Sequence, residues 1–195
     1  MTTISRASAV LLAALALAAC DGEAPKFRST DITGADYGKS LALTDHHGKP
    51  RRLEDFRGKA VVLFFGFTQC PDICPTALAE MARAMQTLGA DAERVQVLFV
   101  TLDPERDSQE VLAKYVPAFD ARFLGLRGSL EETRAAAKEF KVYFEKRPGK
   151  TPGAYTIDHS AQAYVFDPRG RLRLFVRHAR IAQDLAADLR TLLAE

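Results

Sequence analysis

Apolar positions along this chain follow two rhythms. From Ala60 to Phe67 (AVVLFFGF) and from Val95 to Leu102 (VQVLFVTL) they run almost unbroken. Short runs without alternation predict strands buried on both faces, as in a sheet covered by helices on each side. Ala161 to Phe166 predicts a third such strand. Elsewhere the spacing turns helical. Leu78, Met81, Ala82, Met85 and Leu88 recur every three or four residues, which predicts a helix from Pro75 to Leu88 that stops at Gly89. Ser108 caps a predicted helix through Tyr115, ended by Pro117. Ser129 with Glu132 forms a capping-box pattern opening another through about Phe140. Ile181, Leu185, Leu189 and Leu192 mark a closing amphipathic helix. Leu41 to Phe56 reads as a hairpin turning at Gly48, and Asp167 to Gly170 turns Leu172 to Val176 back on the third strand.

Strands alternating with helices, then a final hairpin and helix, predict an α/β fold with a mixed central sheet flanked by helices. A β-α-β half followed by a β-β-α half is the thioredoxin plan. It carries an N-terminal hairpin and an insertion from Phe123 to Thr156 before the third core strand. This domain is expected to span residues 39–195.

The N-terminus reads differently. Arg6 precedes an apolar run from Ala9 to Ala19, shorter than the ~20 residues a membrane span needs. It predicts a signal peptide over residues 1–19. The run ends Leu17-Ala18-Ala19-Cys20, which resembles a bacterial lipobox, so Cys20 is the expected lipidation site. Residues 20–38 are polar, with little periodicity, and predict a tether between lipid and domain. This reading places the protein at the bacterial cell envelope, lipid-anchored to the inner membrane and facing the periplasm.

Composition changes the picture little. The 195 residues are 47% hydrophobic, which suits one domain plus a short appendage. With 27 basic and 25 acidic residues the net charge of +2 does not suggest a nucleic-acid partner. Arg169, Arg171 and Arg173 read as a solvated face.

The chemistry concentrates in Gly66-Phe67-Thr68-Gln69-Cys70-Pro71-Asp72-Ile73-Cys74-Pro75. The chain has three cysteines. With Cys20 taken by processing, Cys70 and Cys74 hold the thiol chemistry. Four residues apart at the mouth of a helix, their sulfurs face one point, and the free N–H groups there favour thiolates. Three uses fit. A structural disulfide would close a tiny loop and constrain the unfolded chain little. A redox pair normally has two intervening residues, not three. Two soft thiolates suit Cu(I), and an added imidazole would also accept Cu(II). The candidate imidazoles are His46, His47, His159 and His178. His46 and His47 flank a hairpin turn and are expected in solvent, and His178 lies among arginines. His159 precedes the third core strand, where a thioredoxin plan packs a loop against the dithiol. Asp158 beside it is a candidate to fix that loop or the ring from behind.

These residues together resemble the SCO/SenC family of copper-handling proteins from about Ser40 to the C-terminus. The resemblance rests on the Gly66 to Pro75 run, on Thr101-Leu102-Asp103-Pro104-Glu105-Arg106-Asp107 and on Asp158-His159-Ser160. It implies that Cys70, Cys74 and His159 are copper ligands for Cu(I), Cu(II) or both. It also implies a metallochaperone that helps assemble the dinuclear copper site of cytochrome c oxidase. The partners it implies are the oxidase copper-site subunit and a periplasmic thiol reductant. The alternative is a thiol–disulfide reductase in which Cys70 and Cys74 act on client cysteines. The Asp103 to Asp107 loop would lie near the site, with no role readable from the residues.

Overall fold

A computed structural model describes residues 26–195. The predicted signal peptide, Cys20 and the start of the tether lie outside the described residues. The chain order is β1 (Thr30–Asp31), β2 (Ala42–Asp45), β3 (Pro50–Arg52), β4 (Ala60–Gly66), α1 (Ile73–Leu88), β5 (Val95–Thr101), α2 (Gln109–Tyr115) and β6 (Leu124–Arg127). It continues through α3 (Leu130–Glu139), β7 (Phe144–Pro148), β8 (Tyr155–His159), β9 (Ala163–Phe166), β10 (Leu172–Val176) and α4 (Ile181–Leu193). Eight strands form one mixed sheet in the order β1-β10-β9-β4-β5-β6-β2-β3, and β7 and β8 pair apart as a ribbon. The fold is thioredoxin-like.

The unbroken apolar runs become the sheet centre because both of their faces are covered. All seven residues of β4 are buried, and β4 pairs in parallel with β5 from Ala60↔Val95 to Gly66↔Thr101. On one face Val62, Phe64, Val97 and Phe99 pack with Leu78, Met81 and Met85 of α1 and with Leu185 and Leu189 of α4. On the other, Leu63, Phe65 and Leu98 meet Ala136 and Ala137 of α3 and Phe140 beyond it. Burying Leu- or Phe-sized side chains contributes about 1.5–3 kcal/mol each, so this two-sided core is the frame from which the site is hung.

The caps form as the sequence predicts. Ser108 Oγ accepts from the Val111 N–H, Ser129 and Glu132 close a capping box, and Gly89 ends α1 with φ +61°. Gly48 takes φ +82° in the β2–β3 turn.

Four expectations change. The tether does not extend to residue 38. Phe27 packs on the core, the Asp188 carboxylate accepts the Arg28 and Ser29 N–H groups, and β1 pairs with β10. Edge pairing of a two-residue strand leaves no hydrophobic period to read. Second, α1 begins at Ile73, which puts Cys74 and Pro75 in its first turn. There the proline lacks only an N–H that the helix would leave free anyway. Third, His46 is buried, not solvated, and its Nδ1 accepts the Gly125 N–H at 2.9 Å, tying the hairpin to β6. His47 is exposed, as expected. Fourth, Arg173 is buried against Asp167 (3.2 Å) and Glu195 (2.9 Å), so only part of its arginine cluster is a solvated face.

Candidate metal site

β4 ends at Gly66, and the chain turns through Phe67, where the Cys70 N–H donates to the Phe67 carbonyl, before entering α1. Cys70 is therefore on the turn and Cys74 within the first helical turn. Both are free thiols, Cys70 half-buried and Cys74 fully buried. The Cys74 N–H points at the Cys70 sulfur from 3.4 Å. Gly66 makes the room. A Cβ there would stand 2.8 Å from the Cys74 sulfur and 2.8 Å from the Phe99 ring, distances that real Cβ atoms do not show.

His159, at the end of β8, brings Nε2 to 3.4 Å from the Cys74 sulfur. Its Nδ1 lies 2.8 Å from the Ser160 carbonyl oxygen. A carbonyl can only accept, so Nδ1 carries the proton and the Nε2 lone pair faces the sulfurs. Phe67 and Phe64 meet the imidazole edge-on, with centroids at 5.9 and 6.5 Å. The donor atoms of Cys70, Cys74 and His159 all lie within 4.8 Å of one another. Bonds of about 2.0–2.3 Å to one first-row ion need donor separations of roughly 3.5–4 Å, so the trio fits one soft ion with small adjustment. The site opens outward through a cleft of about 400 Å³.

The two sulfurs are electrically unequal. The Cys74 thiol donates to Cys70, and together with the Cys74 and Asp72 N–H groups this outweighs burial, lowering the Cys70 pKa to about 5. Cys74 is pushed far up, first because its proton serves Cys70 and then by burial. One half-buried thiolate backed by one sealed thiol is the resting pair.

Asp158 does not touch the ring. Strand alternation puts Tyr155, Ile157 and His159 on one face of β8 and Thr156 and Asp158 on the other. Asp158 is exposed and accepts from Arg147 Nε at 3.0 Å across the β7–β8 ribbon. It ties the loop, whereas the Ser160 carbonyl orients the imidazole.

The Asp103 to Asp107 stretch, which had no readable role, proves to be a strap. The buried Asp107 carboxylate accepts from the Thr68 N–H (3.0 Å), the Thr68 hydroxyl (2.6 Å) and the Thr101 hydroxyl (2.6 Å). Burial raises its pKa against those bonds. Buried Asp103 accepts from Arg106 Nε and from the Tyr155 hydroxyl. Thr68, Gln69, Arg106 and Tyr155 therefore lie behind the site as a hydrogen-bonded support, a role that could not be read from the runs quoted above. The available signal was the period-2 alternation from Tyr155 to His159, masked by the polar composition of β8.

Comparison with known proteins agrees with this geometry. The SCO1/SenC family model matches residues 29–194. The mouse mitochondrial protein SCO2 homolog is 39% identical over 156 residues, covering 79% of this chain and 61% of its own length. Bradyrhizobium japonicum ScoI, solved with copper bound, superimposes with a TM-score of 0.74 at 37% identity, covering 82% of this chain and 100% of that one. Apo Sco1 from Thermus thermophilus gives a TM-score of 0.77 at 42% identity, covering 88% of this chain and 100% of that one. The chain spans about three fifths of the length of the curated relatives it matches. These relatives also correct one expectation. The matched proteins from mouse, human and yeast are mitochondrial, so the bacterial-envelope placement does not stand. Among the described residues, no helix is long and apolar enough to cross a membrane. A family match over almost the whole described chain, with the three donor side chains brought together in space, leads to one conclusion: the chain belongs to the SCO1/SenC family.

Proposed function

We propose that this protein is a copper carrier serving assembly of the copper centre of cytochrome c oxidase, with Cys70, Cys74 and His159 as ligands. The observation that carries the reading is the His159 Nε2 lone pair turned onto the sulfur pair. Thiol–disulfide exchange needs only the sulfurs. An imidazole beside two thiolates makes a site that holds Cu(I) and also accepts Cu(II). Copper-bound relatives from Bradyrhizobium japonicum and yeast support copper as the cargo, and the family resemblance supports the oxidase as client. Three donors leave the ion open on the cleft side. A client thiolate or imidazole can attack there and displace the donors one at a time.

The test is metal uptake by the reduced protein under anaerobic conditions. One copper per chain is expected, with intense sulfur-to-copper charge transfer for Cu(II). His159→Ala should weaken Cu(II) binding and change its spectrum, with much less effect on Cu(I). A protein oxidised to the Cys70–Cys74 disulfide should bind neither. Equal binding by the oxidised form would overturn the reading.

One observation favours a second reading. Cys70 is a half-exposed thiolate at neutral pH while Cys74 is sealed behind it, the asymmetry of an attacking and a resolving thiol. The Cys70 thiolate would attack a client disulfide and release one client thiolate, and Cys74, giving its proton to that thiolate, would break the mixed disulfide and release the other. Two electrons would pass to the client, leaving a Cys70–Cys74 disulfide for a thiol reductant to restore. Complementing a deletion strain at limiting copper separates the readings. His159→Ala should fail if copper is carried and succeed if the dithiol alone is needed.

A further inference from the structure

The three donors are held by different means. Cys70 and Cys74 hang from β4 and α1, whose apolar faces are sealed in the core. His159 hangs from the β7–β8 ribbon, which reaches the core through Ile157 and half-buried Phe144. At the other end of β8 the Tyr155 ring rests against the core, and polar contacts fasten it there. The Tyr155 hydroxyl donates to Asp103 at 2.8 Å, and the Tyr155 carbonyl accepts from Arg106 Nη1 at 2.9 Å. The Arg106 guanidinium carbon lies 3.6 Å from the Tyr155 ring centroid, and Lys146 Nζ lies 4.6 Å from it. Lys146 also pairs with Glu105 at 2.6 Å. Arg106 Nη1 donates at 3.1 Å to Gln69, the residue before Cys70. One guanidinium thus joins the loop that carries Cys70 to the strand that carries His159.

We propose that Arg106 and Tyr155 are positioning residues that latch the His159 strand over the dithiol, so that the latch sets whether copper meets three donors or two. The inference rests on the copper reading above. Tyr155 and His159 share one face of a strand, four residues and about 13 Å apart, so a hold on one end aims the other. Arg106 has the planar, multi-donor head this requires, because it binds an amide oxygen, a backbone carbonyl and a carboxylate while stacking on a ring. The hold is incomplete: Arg106 Nη2 is buried and finds no hydrogen-bond partner among the described residues. A closed latch with an unsatisfied donor is easier to open than the apolar seat of the sulfurs. Closed, the site suits Cu(II) and Cu(I). Open, it keeps the two thiolates and suits Cu(I) alone.

The test compares the wild type with Arg106→Gln, Arg106→Lys and Tyr155→Phe as reduced full chains. In metal-free protein, Arg106→Gln should speed hydrogen exchange of the 144–147 and 155–159 amides and leave β4 and α1 unchanged. Cu(II) affinity should fall about 10–100-fold, as when a ligand loses the group that orients it, with loss of charge-transfer intensity. Cu(I) affinity should hardly move. Tyr155→Phe, which removes one hydroxyl and leaves the ring stack, should give a smaller shift in the same direction, and Arg106→Lys should recover part of the loss. In a His159→Ala background Arg106→Gln should cost no further Cu(II) affinity. Equal weakening of Cu(I) and Cu(II), or an additive loss without His159, would overturn the latch, as would unchanged ribbon exchange. If Arg106→Gln fails to fold, Tyr155→Phe decides by the same measurements. If the wild type takes up no copper, the carrier reading falls, and ribbon exchange still decides whether the latch exists.

Discussion

The dithiol and the histidine ribbon face one another across 3.4 Å, yet they are built by opposite means. Cys74 sits at zero exposure among Phe64, Phe99 and Leu78, on a strand and helix stabilised by burial. His159 is partly exposed on a ribbon that reaches the core only through Ile157, Phe144 and Tyr155 and is otherwise fastened by hydrogen bonds, cation–π contacts and ion pairs. Close-packed cores resist displacement, whereas each polar contact contributes little net, because water offers the same groups replacement partners. The contrast teaches that the soft half of the site is permanent and the imidazole half conditional. For the proposed copper-carrying role, one donor whose hold is weaker than the rest would ease release of the ion.

The largest effect expected is from Cys74→Ser. It removes a donor from the permanent half, so Cu(I) and Cu(II) affinity should both fall by more than the about 10–100-fold that a change behind a ligand costs. Titration with a Cu(I) competitor checks this. Retention of Cu(I) would break the comparison, since the ribbon would then be carrying the site.

Gly66→Ala attacks the same half without touching a ligand. The new methyl needs space held by the Cys74 sulfur and the Phe99 ring. Overpacking of this kind costs about 1–3 kcal/mol, visible in urea unfolding. Unlike Arg106→Gln, it should weaken Cu(I) and Cu(II) together.

Alkylation sharpens the inequality of the sulfurs. With its pKa near 5, Cys70 should be about 90% thiolate at pH 6, against under about 1% for an ordinary cysteine. Its labelling rate should level off above pH 6 while sealed Cys74 stays unlabelled, as peptide mass spectrometry would show. Fast labelling of Cys74 would mean that its seat is looser than the packing indicates.

The smallest effect lies far from the site, at the sheet edge. Burial first, and then neighbouring His47, lower the His46 pKa below its ordinary 6.5, with Asp45 opposing. The unfolded chain then binds the proton more tightly than the folded one. The stability from His46 is therefore complete above pH 6.5 and is lost as pH falls below that value. Melting temperature should drop between pH 7.5 and 5.5, less so in His46→Asn, whose amide oxygen can still accept from Gly125. Copper binding at pH 7.5 should be unchanged in that variant.

The chain's local grammar carried much of this. Unbroken apolar runs marked β4 and β5, helical spacing marked α1 and α4, and Ser129 with Glu132 marked the start of α3, because each signal resides in residues a few positions apart. The Cys70–Cys74 spacing located the dithiol for the same reason, and the family resemblance supplied His159 as its partner. Tertiary structure decided the rest. The β1 and β7–β8 pairings involve polar residues whose partners lie far away or whose alternation is too weak to read. The directions of Asp158 and His46 depend on which face a neighbouring strand covers. Arg106, Tyr155 and Gln69 meet only because folding brings the ends of three separated segments together. Hydrophobic period is written along a chain, whereas a polar contact exists only between groups the fold has already placed. The sequence by itself therefore determined the sulfur pair and the frame beneath it. The tertiary structure decided how the imidazole is held.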